Sequence, residues 1–238
     1  MKIKETNLRL YNPFLIIYTL LCISVTGQTS LLVFIPGKQN TVQVKDGFNK
    51  LIERSMVYNR IKDFDSALAA SPDAAVIAPE PFFAFTPGYK IVLSGKTGST
   101  TGEKYHIITV KKDVTTGNIS EKKVGVVDFL GKDGLSRFIK DQFGFEIKTL
   151  KRANKEDDLL TMLGMDAVEA IIVSETQYRE ILSNTKLPIM IIASSSKSFG
   201  FLTYGIKEGK KNESQKKKLL KAPVGLLNQI GIEGWDLR

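Results

Sequence analysis

Short apolar runs alternate along this chain with segments whose apolar residues recur at helical spacing. Leu31 to Ile35 is continuously apolar and is stopped at once by Pro36-Gly37, the pattern of a strand buried on both faces. Behind Asp46, the residues Phe48, Leu51, Ile52 and Met56 predict a helix that runs through Ser55 and Met56. Phe64 to Ala70 predicts a second helix, stopped by Ser71-Pro72-Asp73. Ala74 to Ala78 and Tyr89 to Leu93 are the next strands, separated by the turn Pro79-Glu80-Pro81. Ser94 to Gly102 breaks the pattern with three glycines and holds no phosphate-loop motif. Lys104 to Lys111 reads as extended, and Asp113 to Glu121 as a polar loop.

A second run begins at Lys123. It predicts strands at 124–128, 145–150, 168–173 and 187–193, with helices at 135–143, 156–163 and 175–182 between them. Ser194 to Ser198 is a linker and Phe199 to Ile206 is extended. Ser214 to Ile230 predicts a terminal helix with a bend near Pro223. Two β-α-β runs joined by two extended segments give an α/β fold of two lobes. Each lobe is expected to be a mainly parallel sheet flanked by helices, with two hinge crossings between them. Residues 30–103 with 201–238 are assigned to one lobe and 110–195 to the other. Ligands in such sheets bind beyond the carboxyl ends of the strands. The turns Pro36–Asn40, Pro79–Phe85, Leu130–Gly134 and Ser174–Tyr178 all follow strand ends and are expected to share one cleft.

The N-terminus changes the picture of where the protein works. Lys2, Lys4 and Arg9 precede the apolar run Phe14 to Val25, which ends in Val25-Thr26-Gly27. This is the order of a secretory signal, 1–27, with Gln28 as the first mature residue. The run is about a dozen residues, against the roughly 20 of a spanning helix; a retained N-terminal anchor is the alternative. The expected location is periplasmic or secreted. Cys22 is the only cysteine, so the mature chain has no disulfide and no cysteine nucleophile. His106 is the only histidine, which argues against a zinc site or a Ser-His-Asp triad. Neither catalytic nor metal-ligating residues are assigned, and no cofactor is expected. The net charge is +9; cleavage after Gly27 leaves 31 basic against 24 acidic residues. That excess favours anionic partners, but the leader argues against nucleic acid.

The stretch Lys123-Val-Gly-Val-Val-Asp-Phe-Leu-Gly-Lys-Asp-Gly134 carries the most specific chemistry. It reads as a strand, a glycine-bracketed turn and a helix start, whose free N–H groups form a candidate anion cradle. Phe129, Gly131, Lys132 and Gly134 are the ligand candidates here, although the glycines also serve turn geometry. From the other turns come Pro36, Gly37 and Lys38, then Glu80, Phe82 and Phe83, then Ser174 and Tyr178. Phe82 and Phe83 either cover an apolar part of a solute or pack between the lobes. Glu80 either meets a ligand amine or caps backbone donors. Lys38 and Lys132 either meet an anion or stay on the surface, and Tyr178 either faces the cleft or is buried in its lobe.

The cradle stretch, the later Ala167-Val-Glu-Ala-Ile-Ile-Val-Ser174 and the ending Leu227-Asn-Gln-Ile-Gly-Ile-Glu-Gly-Trp235 resemble type 2 periplasmic solute-binding proteins. Within them the chain is similar to the phosphate, phosphite and phosphonate binding proteins of ABC transporters. The resemblance implies a periplasmic-binding-protein-like fold, no catalysis, a monomer, and closure of two lobes on a small solute for delivery to an ABC permease or membrane sensor. The turn after Asp128 lacks the serines and threonines that grip phosphonate in that group, and Pro79-Glu-Pro-Phe-Phe-Ala-Phe85 is strongly aromatic. The expected ligand is therefore anionic or partly apolar. An envelope interaction or sensor module without a transported ligand, or an enzyme on the same fold, are the alternatives.

Overall fold

The computed structural model of the protein describes residues 31–37 and 40–238. The leader, with Cys22 and the cleavage position, and Lys38 lie outside the described residues. The fold has two lobes, each built on one sheet.

The first sheet opens with β1 (Leu31–Phe34), α1 (Val42–Leu51), β2 (Ser55–Tyr58), α2 (Ile61–Ala70), β3 (Ala75–Pro79), α3 (Glu80–Phe85) and β4 (Tyr89–Lys96). The helix expected to run through Met56 ends at Leu51 instead, and Ser55–Tyr58 is a strand. Ile52 is already extended and ends the helix, and the left-handed φ of 62° at Arg54 turns the chain into the strand. Ser55 is then fastened by its N–H to Asn49 Oδ1 (2.9 Å) and by its hydroxyl to the Ile52 carbonyl (2.6 Å).

The first crossing passes through β5 (Gly102–Glu103) to β6 (Tyr105–Thr109). β6 belongs to the second sheet, so the extended connecting segment is itself a sheet strand. There follow β7 (Lys123–Val127), α4 (Gly131–Phe143), β8 (Thr149–Ala153), α5 (Glu156–Gly164), β9 (Ala170–Ser174), α6 (Glu175–Asn184) and β10 (Met190–Ser194). β8 lies four residues later than expected, because Phe143 and Phe145 pack against each other beside the helix end (6.1 Å) rather than in the sheet.

The return crossing is β11 (Phe199–Gly200), leading into β12 (Leu202–Lys207), α7 (Glu213–Leu220), α8 (Val224–Gln229) and β13 (Gly234–Leu237). The chain ends in a strand, not a helix; Gly231, with φ of 79°, turns it out of α8. β5 and β11 pair antiparallel, Phe199 opposite Glu103 and Gly200 opposite Gly102, so the two crossings form one ribbon.

Strand order is β13-β4-β12-β3-β1-β2 in the first sheet and β10-β6-β9-β7-β8 in the second. Both sheets are mixed. The expected parallel pairing holds for β2, β1 and β3 and for β8, β7 and β9, where helical crossovers return the chain in the same direction. The strands next to the hinge are antiparallel because the chain enters and leaves each lobe there.

One apolar cluster reaches from Phe34, Phe64 and Phe82 in the first lobe to Phe129, Leu135 and Phe138 in the second. The rims meet as well: Gly37 forms a parallel bridge with Lys155, and the Arg137 guanidinium sits 5.2 Å over the Phe85 ring. Among the described residues no helix is long and apolar enough to cross a membrane.

Candidate functional site

A cavity of about 150 Å³ lies between the sheets beside the hinge ribbon. Ile35, Pro36 and Pro79 reach it from strand ends of the first lobe, with Ile230 and Gly231 from the turn before β13. Glu103, Gly200 and Phe201 come from the ribbon and its exit. Tyr105, Val126, Phe129, Ile172 and Ser174 form the second-lobe wall. The Tyr105 and Phe129 rings stack at 5.6 Å and 24°, giving that wall a flat aromatic face.

Three carboxylates enter the cavity lining. Glu103 accepts the N–H of Thr176 (2.7 Å), so the ribbon is tied to the first turn of α6. Ser174 caps α6 in a reciprocal box: its hydroxyl accepts the Gln177 N–H (3.3 Å), and its own N–H donates to Gln177 Oε1 (2.8 Å). Gln177 Nε2 then donates to Glu156 Oε1 at 2.8 Å, fixing the second carboxylate. Glu180, one turn further along α6, is the third. Burial, and then the charges of Glu103 and Glu156, push the Tyr105 hydroxyl far above its ordinary pKa, so the phenol stays protonated.

The sequence candidates divide. Pro36, Phe129 and Ser174 line the cavity. Gly37 is buried at the rim, with φ of 83°; a Cβ there would lie 2.8 Å from the Glu156 side chain. Lys38 is outside the described residues. Glu80 does not line the cavity. It accepts the N–H of Gly200 and pairs with Arg238 (3.0 Å), so it braces the ribbon from behind. Phe82 and Phe83 do not line the cavity and belong to the apolar cluster that reaches both lobes. Phe82, 3% exposed, sits edge-on to Phe64 and Phe83 at 5.3 Å, and Phe83 packs on Tyr89. The reason is that Glu80–Phe85 is a helix rather than a turn, and it directs both rings into the core.

The expected cradle is also filled from within. Helix α4 starts at Gly131, four residues before its expected start, and the Gly131 N–H donates to Asp128 Oδ1 (2.8 Å). Arg152 holds the other Asp128 oxygen at 2.6 Å. Gly134 is buried against Leu130, where a Cβ would come within 2.8 Å of Leu130 Cβ. Lys132 is exposed. None of Gly131, Lys132 and Gly134 lines the cavity. Tyr178 packs into the second lobe, its ring 5.7 Å from His106. His106 bonds Ser194 through Nδ1 (2.8 Å) and Glu175 through Nε2 (2.5 Å). Arg179 and then His106 hold the Glu175 carboxyl below its ordinary range.

The lining residues that sequence reasoning missed are mainly Glu103, Tyr105, Glu156, Gln177, Glu180 and Phe201. Glu156 follows the end of β8, so the strand-end rule would have found it with that strand in its true place. Ser174-Glu-Thr-Gln177 is a readable capping box. Glu103 and Phe201 carry no local signal, because pairing across the ribbon brings them to the cavity.

No family model matches the sequence, and no curated protein matches it. Solved structures do match. The binding-protein component of an ABC phosphonate transporter from Pseudomonas aeruginosa is 9% identical with a TM-score of 0.64, covering 88% of this chain and 81% of that one. PhnD1 from Prochlorococcus marinus, solved with methylphosphonate, is 11% identical with a TM-score of 0.61, covering 89% and 93%. A histidine kinase sensor domain similar to periplasmic binding proteins is 13% identical with a TM-score of 0.54, covering 87% and 98%. Two lobes, one paired hinge ribbon and these structural neighbours agree: the chain has the type 2 periplasmic-binding-protein fold.

Proposed function

We propose that this protein is an exported solute-binding protein, with no catalytic role, that closes its two lobes on a small, partly apolar molecule and presents the closed form to a membrane permease or sensor. The observation that carries this reading is the cavity at the hinge, walled by both lobes and by the ribbon between them. Closure around such a site couples occupancy to the shape of the outer surface. Residues 30–103 with 201–238 move as one body and 110–195 as the other. The strand membership of the two sheets supports that division. Residues 1–27 direct export. Glu103, Glu156 and Glu180 in the lining would repel the phosphonates of the transporter proteins, so those ligands are not carried over. Its apolar walls suit the carbon skeleton of a solute and its few polar groups suit orientation.

The test is native mass spectrometry of protein isolated from its own cell envelope, paired with thermal melting against small solutes. The expected result is a retained small molecule that raises the melting temperature. It is lost when Val126→Trp fills the cavity in a protein that still folds. Retention unaffected by Val126→Trp, or no retained molecule and no thermal shift with any solute, overturns the reading.

A further inference from the structure

We propose that the solute is an organic cation, specifically an aliphatic amine that carries no carboxylate or phosphate. This inference rests on the solute-binding reading and names the ligand class of the same cavity. The chain has 34 Lys and Arg against 25 Asp and Glu, so its surface as a whole is basic. The cavity departs from that balance. Its lining includes Glu103, Glu156 and Glu180 and no described Lys or Arg. Among the described residues none of these three carboxylates has a Lys or Arg partner within 4.0 Å, whereas Glu80, Asp128 and Glu175 nearby are all paired. Their polar contacts are neutral: a backbone N–H for Glu103 and an amide for Glu156. A negative site left without a protein cation is complementary to a cationic ligand.

A second cavity, of about 170 Å³, adjoins the first between α5 and α6 and shares Glu156, Gln177 and Glu180 with it. It adds Leu159, Leu160 and Ile181 to the apolar side. The two cavities thus share carboxylates, and each has apolar side chains beside them. A metal ion does not suit this arrangement: among the described residues no three His, Cys, Asp or Glu side chains converge to hold one. An amino acid would bring a carboxylate with no described cation to receive it. A methylene chain with ammonium groups at its ends matches both features, and the Tyr105, Phe129 and Phe201 rings add surfaces on which a cation is stable.

The probe is 1,4-diaminobutane, measured by thermal melting and titration calorimetry on the purified protein, beside arginine and methylphosphonate. The expected result is that the diamine raises the melting temperature and binds, that its affinity falls as salt is raised, and that the other two are inert. Glu156→Gln with Glu180→Gln should weaken the diamine about tenfold or more, while Glu121→Gln, remote from the cavity, leaves it unchanged. A folded double variant with undiminished affinity places the diamine elsewhere and overturns the assignment. Binding of methylphosphonate with an inert diamine overturns the cation and leaves the solute-binding reading standing. Arginine binding as tightly as the diamine overturns the exclusion of a carboxylate. An inert diamine alone defeats this inference; the broader reading falls only if native mass spectrometry and the solute screen also find nothing.

Discussion

Gly205→Ala should destabilise the first lobe, and the same substitution should stabilise it once Phe83 is shortened. Gly205 lies in β12, and a Cβ there would stand 3.1 Å from Cδ1 and Cζ of Phe83 and nearer still to Cε1. The ring has little room to retreat, with Phe82 at 5.3 Å and Tyr89 at 6.0 Å around it. Overpacking of this kind costs about 1–3 kcal/mol. Replacing glycine by alanine returns about 0.4–1 kcal/mol through the unfolded chain, since the position is extended. The net expectation is a loss of about 1–2 kcal/mol, or about 2–8 °C in melting temperature for a chain of this size. Phe83→Ala alone should cost about 2–3 kcal/mol, below the fully buried range because the ring is only partly covered. In the Phe83→Ala background the clash is gone, so Gly205→Ala should now add stability. Urea unfolding followed by the fluorescence of Trp235, the single tryptophan, reports on the same sheet. An equal penalty for Gly205→Ala in both backgrounds would refute this account of how Phe83 is seated.

Ser174→Ala removes the acceptor in the α6 cap and should cost about 1 kcal/mol, visible as a fall of about 2–4 °C in thermal melting; Ser174→Thr should restore most of it. Glu175→Gln should lower stability at pH 6, where the wild-type carboxylate holds Arg179 and His106. The Glu175 pKa is depressed in the fold, so its contribution is present above the unfolded value near 4.5 and is lost as pH falls through the lower folded value. The gap between the two proteins should therefore begin to shrink only as pH falls below about 4.5, and a gap that already closes above that pH, or never narrows on acidification, would count against this linkage.

The two β-α-β runs were legible because Leu31–Ile35, Ala74–Ala78 and Ala170–Val173 are unbroken apolar strands, a pattern that parallel sheets require. β2 was not legible, since Ser55-Met-Val-Tyr58 continues the apolar spacing of the preceding helix and only the extended Ile52 and the left-handed Arg54 separate them. The pair Phe82 and Phe83 misled for a related reason: two prolines suggested a turn, whereas Pro79 and Pro81 stand where a helix start tolerates proline. At the site, strand-end turns delivered Pro36 and Ser174, but the acidic side comes from Glu103 and Glu156. Their nearness follows from ribbon pairing and strand register, which no local window contains. The glycine-rich turn at 131–134 shows the opposite limit. Its spacing is right for an anion, yet Asp128 sits three residues upstream and takes the first donor.

The position of β12 between β3 and β4 bears on the order in which the chain matures. During synthesis, the second sheet can be completed as soon as Ser194 has emerged. The sheet that starts first must wait for residues 202–237, because β3 and β4 meet no partner on their facing edges until β12 enters between them. Until then the wholly buried Ala75–Pro79 has one open edge and β4 has both edges open, strand edges of the kind that pair with other chains. A product that stops short of the last 37 residues would thus keep an intact central lobe beside an unclosed, adhesive one. The final segment acts as the fastener for residues made near the beginning, and the cavity cannot exist before it arrives.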